Sequence, residues 1–209
     1  MSHNKDILNV FKARNNLLNI LETRKFNVSD YQGFSVNDIH TLILNNTLDL
    51  YLENLDKSKK CFVKFYNLEK SIRPTNIYDL IDQVFNIENI LTKNDDLIII
   101  VKDEPNDSLQ NSLKQIYEHD GIFISLINIE RLQFNILNHV LVPKMRVFDE
   151  NEKIEFKKKN GIKDDSEMPT VSRFDPTSIV LGLRPSQIVE LERPSRTSIK
   201  SKFYRICSH

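Results

Sequence analysis

The chain has 209 residues, with 29 Lys and Arg against 29 Asp and Glu, so its formal net charge is zero. A protein that binds nucleic acid on its own usually carries a basic excess, and this balance argues against that class. Hydrophobic residues make up 40% of the chain, enough to build the core of one large domain or two small ones.

The first part of the chain alternates helical and strand patterns. We predict a helix over 6–24 and a second one that begins after Ser35, which forms a capping box with Asp38 and whose apolar face extends to Leu50. The further predicted elements are strands at 61–66, 96–101 and 122–127, and helices at 74–90 and 107–119, the last stopped by Gly121. Near-continuous apolar strands that alternate with helices predict an α/β layer with a parallel or mixed sheet.

Near residue 138 the pattern changes to short segments punctuated by proline. We predict a short strand from His139 to Pro143, a helix over 150–159 with a capping box and a stop at Gly161, and a short helix between Asp175 and Gly182. Strands at 188–191 and 202–207 then flank a loop over 193–200. The chain is therefore predicted to contain an α/β domain over 1–137 and a small α+β domain over 138–209.

The motifs of common catalytic and cofactor sites are missing from the sequence. Its four glycines lie too far apart for a phosphate-binding loop, and no Gly-x-Ser-x-Gly occurs. The histidines and the two cysteines, Cys61 and Cys207, lack the short paired spacings of a zinc site. We therefore expect no catalytic residues, no cofactor and no metal, and two buried thiols in a reducing compartment.

The start of the chain and its apolar runs bear on membranes. Residues 1–6 are polar, and the longest apolar runs fall far short of the ~20 residues that a transmembrane helix needs. We expect a soluble, intracellular protein without a membrane partner.

Nuclease chemistry is the enzymatic alternative that an α/β layer raises. The restriction-endonuclease-like fold uses an Asp and, on one strand, an acidic residue with a lysine two positions later. No such pair occurs in the first domain, and Glu155 with Lys157 falls on a predicted helix. This pair is interpreted as a solvated helix face.

A basic group surrounds the last predicted hairpin and alternates with two aromatic residues. Its members are Arg193, Arg196, Lys200, Lys202 and Arg205, with Phe203 and Tyr204 between them. Such a group suits nucleic-acid phosphate or an acidic protein surface, and the zero net charge favours the protein. His139, just before an apolar run, is interpreted as a structural histidine that hydrogen-bonds to the backbone.

A set of motifs in the second domain carries a family resemblance. They are Asn138-His139-x-Leu141-Val142-Pro143-Lys144, Met168-Pro169, Asp175-Pro176, Gly182, Arg184-Pro185, Arg193-Pro194-Ser195 and Tyr204-Arg205. In this order and spacing the chain resembles the shared fifth subunit of eukaryotic nuclear RNA polymerases, whose C-terminal domain also occurs as a separate subunit in archaeal polymerases. Residues 11–28 are similar to the opening helix of the eukaryotic form.

The resemblance implies a non-catalytic structural subunit of a multisubunit DNA-dependent RNA polymerase. The first domain would be the jaw, a restriction-endonuclease-like layer without an active site that projects toward downstream DNA in the assembled complex. The second would be the assembly domain that docks on the largest subunit, and transcription regulators are a further class of partner. The residues implied for assembly are His139, Pro143, Lys144, Asp175, Pro176, Gly182, Arg184, Arg193, Pro194, Ser195, Tyr204 and Arg205. The alternative is a stand-alone nucleic-acid-binding or endonuclease-like protein.

Several positions depart from the family pattern. Met145 replaces a histidine, Ser186 replaces a glycine, Arg196 replaces a glutamate, and residues 199–201 lack an expected glycine. These changes indicate a divergent member, and the abundance of Asn, Ile and Lys is typical of many large DNA viruses. The expected location is the nucleus for a cellular protein, and the virion or the viral transcription compartment for a viral one.

Overall fold

The structure, a computed structural model, describes residues 2–66 and 70–208. The chain divides into two compact units, Met1–Asn135 and Ile136–His209. The sequence places the domain boundary close by, between residues 137 and 138.

The first unit contains a four-stranded mixed sheet. Its elements are α1 (Ser2–Thr23), α2 (Val36–Leu44), β1 (Leu50–Glu53), β2 (Lys60–Phe65), α3 (Pro74–Ile81), β3 (Asp96–Val101), α4 (Asp107–Asp120) and β4 (Phe123–Asn128). The sheet order is β1-β2-β3-β4, with β1 antiparallel to β2 and the other neighbours parallel. Because α3 connects β2 to β3 and α4 connects β3 to β4, the predicted α/β layer is confirmed.

The core of this unit lies around its parallel strands. β3 and β4 are buried at all of their positions, as their continuous apolar runs predicted. Asp96 begins β3 and is 1% exposed. Its carboxylate accepts a hydrogen bond from Arg24 at 2.5 Å and lies 2.8 Å from Lys59 Nζ. Two cations therefore offset the desolvation of this buried carboxylate.

The second helix is shorter than its apolar pattern predicted. The capping box of Ser35 and Asp38 is present, but α2 ends at Leu44, and Leu50 belongs to β1 instead. The extension of the apolar face to Leu50 is wrong because Asn46 adopts a positive φ of 53° and turns the chain.

Within the described residues, no helix combines the length and the hydrophobicity that crossing a membrane requires.

The predicted helix over 74–90 is interrupted. α3 ends at Ile81, and a π-helix follows over Asp82–Ile87 before Asn89 turns the chain with a φ of 50°. Ile77 and Val84 are buried as predicted. The wider π turn changes which side chains share a face of the helix. A prediction from the α-helical period of 3.6 residues could not detect this change.

The second unit is built on another four-stranded sheet. Its elements are β5 (Lys144–Val147), α5 (Glu150–Asn160), β6 (Thr170–Ser172), α6 (Pro176–Leu181), β7 (Ile188–Arg193) and β8 (Ser201–Ser208). The sheet order is β5-β7-β8-β6, with β8 antiparallel to β7 and parallel to β6. The predicted capping box of α5 is present, and Gly161 and Gly182 end α5 and α6 in the left-handed conformation.

The predicted strand from His139 to Pro143 is wrong. Ile136–Asn138 form a 3-10 turn, and the strand begins only at Lys144. The apolar residues that suggested a strand are exposed: Val140 by 96% and Leu141 by 84%. A hydrogen bond from the Val142 N–H to the His139 carbonyl, 2.9 Å long, closes a turn there. The edge strands β5 and β6 were not predicted.

Candidate functional site

The sheet of the second unit has one face covered by α5. Phe148 and Tyr204 pack there with Phe156 of α5, and the ring centroids of Phe156 and Tyr204 are 4.5 Å apart. Burial raises the pKa of the Tyr204 hydroxyl, and Glu190 raises it further. Tyr204 is therefore part of a core rather than of an open surface.

The other face of the same sheet carries the arginines of the predicted basic group. Side chains alternate along a strand, so Phe203 and Arg205 of β8 share a face with Leu191 and Arg193 of β7. Met145 stands opposite Leu191 on β5. We call these five residues the arginine face.

The two arginines of this face are fixed in place. The Arg193 guanidinium lies 3.8 Å from the centroid of the Phe203 ring, and Arg205 Nη1 donates to the Thr170 carbonyl at 2.8 Å. Among the described residues, neither guanidinium has a carboxylate partner. The arginine face is thus partly apolar at its centre, with exposed, ordered cations at Arg193 and Arg205.

The predicted basic group is not a single patch, because the sheet divides it. Lys202 and Lys200 pair with the carboxylates of Glu190 and Glu192, at 3.2 Å and 2.8 Å. The hydrogen bond from Lys200 lowers the pKa of the Glu192 carboxyl. Arg196 lies exposed in the loop between β7 and β8. These lysines are therefore neutralised locally, and Arg193 and Arg205 are the strand cations available to a partner.

Three of the predicted assembly residues build α6. Asp175 caps it by accepting from the Thr177 N–H at 3.0 Å and from the Thr177 hydroxyl at 2.5 Å. Pro176 is its first residue, and Gly182 ends it with a φ of 65°. After the helix, the Arg184 N–H donates to Gln187 Oε1 at 2.9 Å. The local geometry explains Asp175, Pro176 and Gly182 by folding alone.

The motif at His139 forms a turn that presents apolar side chains. His139 Nδ1 accepts from the Leu141 N–H at 3.2 Å, which confirms the predicted backbone hydrogen bond. The preceding 3-10 turn contacts α6, so the motif lies beside that helix. Pro143 leads from the exposed Val140 and Leu141 into Lys144, the first residue of β5.

Pro194 and Ser195 lie in the loop after β7. The Ser195 N–H donates to the Ser198 carbonyl at 3.2 Å, and the Thr197 N–H donates to Ser195 Oγ at 3.4 Å. These bonds hold the end of the loop next to Arg193. The predicted motif Arg193-Pro194-Ser195 therefore lies together at the end of β7.

The charge of the chain is unevenly divided. The second unit has 14 Lys and Arg against 10 Asp and Glu, a net charge of +4, which leaves 15 against 19 and −4 for the first. The zero net charge of the whole chain is therefore the sum of an acidic first unit and a basic second unit. This unit attracts acidic surfaces more strongly than the composition of the whole chain indicates.

The described residues offer neither a metal site nor a reactive thiol. Within residues 2–66 and 70–208, no group of three or more His, Cys, Asp or Glu side chains is placed to hold a metal ion. Both cysteines are buried and free, and burial raises the pKa of Cys61 to about 12 and that of Cys207 to about 11. Neither is a reactive thiolate near neutral pH.

The first unit contains a cavity with a basic lining. Its volume is about 560 Å³, and it is lined by Tyr66, Lys70, Ser71, Arg73, Thr75 and Asn76. It lies past the carboxyl end of β2, where open α/β sheets often bind ligands, and at the start of α3. The Ser71 hydroxyl donates to Asp103, just beyond the carboxyl end of β3.

Comparisons with known proteins agree on one family. Residues 134–207 match the model of the RNA polymerase Rpb5 C-terminal domain. The chain is 39% identical over 74 residues to DNA-directed RNA polymerase subunit Rpo5 of Thermococcus kodakarensis, which covers 35% of this chain and 89% of that protein. It is 23% identical over 203 residues to DNA-directed RNA polymerases I, II, and III subunit rpabc1 of Dictyostelium discoideum, which covers 97% of this chain and 99% of that one. RPABC1 of Caenorhabditis elegans is 37% identical over 75 residues, 36% of this chain and 35% of that protein.

Proposed function

Because this chain belongs to the family of the fifth subunit of DNA-directed RNA polymerases, which includes archaeal Rpo5 and eukaryotic RPABC1, we propose that it is a structural, non-catalytic subunit of such a polymerase. The observation that carries the proposal is the second unit, where the family match and the arginine face coincide. Alignment to the Dictyostelium protein over nearly the whole of both chains supports the same role for the first unit.

The second unit, predicted over 138–209, is proposed to dock on the largest polymerase subunit. Ordered arginines beside apolar surface are typical of protein interfaces, where Arg and aromatic residues are enriched. Because Arg193 already rests on Phe203, little side-chain entropy is lost when it binds a carboxylate. The exposed Val140 and Leu141 supply a second, apolar contact on the same unit.

The first unit, predicted over 1–137, is proposed to be the jaw, with a restriction-endonuclease-like layer that has no active site. Lys70 and Arg73 at its basic cavity are suited to the phosphates of downstream DNA in the assembled complex. The net charge of −4 on this unit argues that such contact depends on the complex rather than on the free chain. Transcription regulators are a further proposed partner of this unit.

The location follows from the assembly. A cellular protein would act in the nucleus, and a viral one in the virion or in the viral transcription compartment. The departures at Met145, Ser186 and Arg196, together with the abundance of Asn, Ile and Lys, favour a divergent, virus-encoded polymerase.

Arg193→Glu tests the docking role. The tagged chain is purified from its native cells or virions, and the largest polymerase subunit recovered with it is measured by mass spectrometry. Loss of a central interface arginine typically costs about 2 kcal/mol or more, so we expect recovery to fall by roughly tenfold or more.

The matched control is Lys158→Glu, which makes the same change of charge on the exposed surface of α5. This variant should assemble as the unchanged chain does. Normal assembly of Arg193→Glu would count against the arginine face, and purification of the unchanged chain without polymerase subunits would overturn the subunit role itself.

A further inference from the structure

We propose that Asn160 is a site of spontaneous deamidation, at which the side-chain amide is converted into an aspartyl or isoaspartyl residue without an enzyme. Asn160 is the last residue of α5, and Gly161 follows it. Of all the asparagines in the chain, it alone precedes a glycine. Because glycine has no side chain to hinder the approach of its backbone nitrogen to the amide carbon, this pair of residues cyclises more readily than any other Asn pair in the chain.

The reaction needs only water. The backbone nitrogen of Gly161 loses its proton and attacks Asn160 Cγ, so a nitrogen–carbon bond forms, the bond from Cγ to the side-chain nitrogen breaks, and ammonia leaves. Water then opens the resulting five-membered imide at one of its two carbonyl carbons. Attack at Cγ gives aspartate, whereas attack at the main-chain carbonyl gives isoaspartate, in which the chain runs through the side chain. One water is consumed and one ammonia is released, and nothing is oxidised.

The structure leaves space for this ring closure. The side chain of Asn160 is exposed at the end of α5. Apart from its neighbours in the chain, Gly161 has no atom within 4 Å of the position that a Cβ atom would take. The attacking nitrogen and the amide carbon can therefore approach each other without displacing another part of the fold.

Two hydrogen bonds of the folded chain oppose the reaction. Asn160 Nδ2 donates to the Phe156 carbonyl at 2.8 Å. The Gly161 N–H is shared between the carbonyls of Lys157 and Lys158, and its distance to the second is 3.4 Å. Both bonds belong to the last turn of an exposed helix, and helix ends open at little cost in free energy. The fold therefore slows the reaction and does not prevent it.

The charges in the last turn of α5 favour the reaction. Lys158 and Lys159 are exposed, and together with Lys157 they offset the negative end of the helix dipole. During cyclisation, negative charge develops on the attacking nitrogen and then on the oxygen bound to Cγ. A positive potential stabilises that charge, so the three lysines lower the barrier to ring closure.

The products weaken the end of α5. A new carboxylate at this position opposes the helix dipole and lowers the net charge of +4 on the second unit by one. Isoaspartate also lengthens the backbone just before the turn in which the Ile162 N–H donates to the Lys157 carbonyl at 3.0 Å. Ile162 packs against the cluster that contains Phe148, so the modification extends its effect to the core of this unit.

The test is a long incubation of the full chain at physiological temperature and pH, followed by mass spectrometry of the fragment 156–167. A protease that cuts after glutamate releases this fragment. Isoaspartate is measured by methyl transfer from S-adenosylmethionine with an isoaspartyl methyltransferase. We expect Asn160 to convert before every other asparagine, at a rate within about tenfold of that in guanidinium chloride. Asn160→Gln is the matched control and should show no conversion, because its ring would have six members and close far more slowly.

A second variant separates cyclisation from direct hydrolysis of the amide. In Gly161→Ala the added Cβ atom hinders the attacking nitrogen, so conversion should slow by roughly tenfold or more. The φ of 68° at this position strains alanine and loosens the helix end, which alone would accelerate the reaction. Earlier conversion at another asparagine, conversion without isoaspartate, an unchanged rate in Gly161→Ala, or conversion confined to the denatured chain would each overturn the proposal. The unchanged chain decides the site even if Gly161→Ala is unstable.

Discussion

At the scale of single residues, positive φ angles show where the chain carries backbone strain. Lys25, with a φ of 66°, ends α1 in a Schellman motif, in which its N–H bonds to the Glu22 carbonyl and the Phe26 N–H bonds to the Leu21 carbonyl. Glycine is favoured at this place because a side chain there costs about 1–2 kcal/mol. Ser186 also has a positive φ, of 65°, at the position where the family resemblance predicts glycine.

Lys25→Gly is therefore expected to stabilise the protein. The relief of strain exceeds the extra entropy of glycine in the unfolded chain, about 0.5–1 kcal/mol, and leaves a net gain of roughly 0.5–1 kcal/mol. The free energy of unfolding in urea measures it. Lys25→Ala keeps the Cβ atom and should show no gain, and equal gains from both variants would attribute the effect to the lysine side chain instead.

At the scale of elements, α6 shows how a residue of the family motif can serve folding. Asp175→Ala removes the cap of α6 and its bonds to Thr177, so we expect a loss of about 1–2 kcal/mol in the free energy of unfolding. Asp175→Asn keeps an acceptor oxygen and should remain close to the unchanged chain. An Asp175→Ala variant that is fully stable yet fails to join the polymerase would show that Asp175 makes a contact.

Elements with a local cause were predictable from the sequence. The capping boxes at Ser35 and Asp149 and the helix stops at Gly121 and Gly161 each depend on a few neighbouring residues, and all four are confirmed. The strands β3 and β4 were found because burial on both faces produces a continuous apolar run.

Elements that depend on distant partners were missed. β5 and β6 are edge strands whose hydrogen bonds come from β7 and β8, so their sequences alone contain little signal. The alternation Lys-Met-Arg-Val in β5 was the available clue, and its burial does alternate. The apolar run near Leu141 was wrongly predicted as a strand. It forms a turn in which Val140 and Leu141 are exposed instead of pairing with a neighbouring strand.

The candidate site was predictable in membership but not in arrangement. Arg193 and Arg205 were identified from sequence, whereas Met145 and Leu191 were not recognised as members of the same face. The alternation of side chains along a strand would have placed Phe203 and Tyr204 on opposite faces of the sheet. It could not have placed Met145 beside Leu191, because the register between β5 and β7 is set by tertiary pairing.

At the scale of the whole molecule, exposed carboxylates held by ion pairs or capping hydrogen bonds set the response to acid. The folded-state pKa of Asp38 is lowered by its bonds to Ser35, and that of Glu152 by Arg146. The pKa of Asp165 is lowered by Lys157 and that of Glu192 by Lys200. A lowered pKa adds stability above the unfolded values of about 3.9 for Asp and 4.3 for Glu, and this stability is lost as the pH falls through the folded values.

We therefore expect the free energy of unfolding to change little between about pH 5 and pH 8 and to fall steadily below about pH 4. Urea titrations at a series of pH values check this. Salt near 1 M should lower the stability at neutral pH and flatten the acid limb, because it screens exposed pairs. A stability that rises on acidification would contradict the role of these carboxylates.

The position of β8 also has a consequence for the synthesis of the protein. Among the described strands β8 comes last in sequence, yet it is an interior strand that pairs with both β7 and β6. Until Ser201–Ser208 have left the ribosome, β6 has no neighbour and β7 has only β5. The strands of the first unit are synthesised long before that moment, so this unit can fold during translation while the second unit waits for Ser201–Ser208. A ribosome that stalls late would thus hold a folded first unit joined to an unclosed sheet, which is a form that chaperones and proteases recognise.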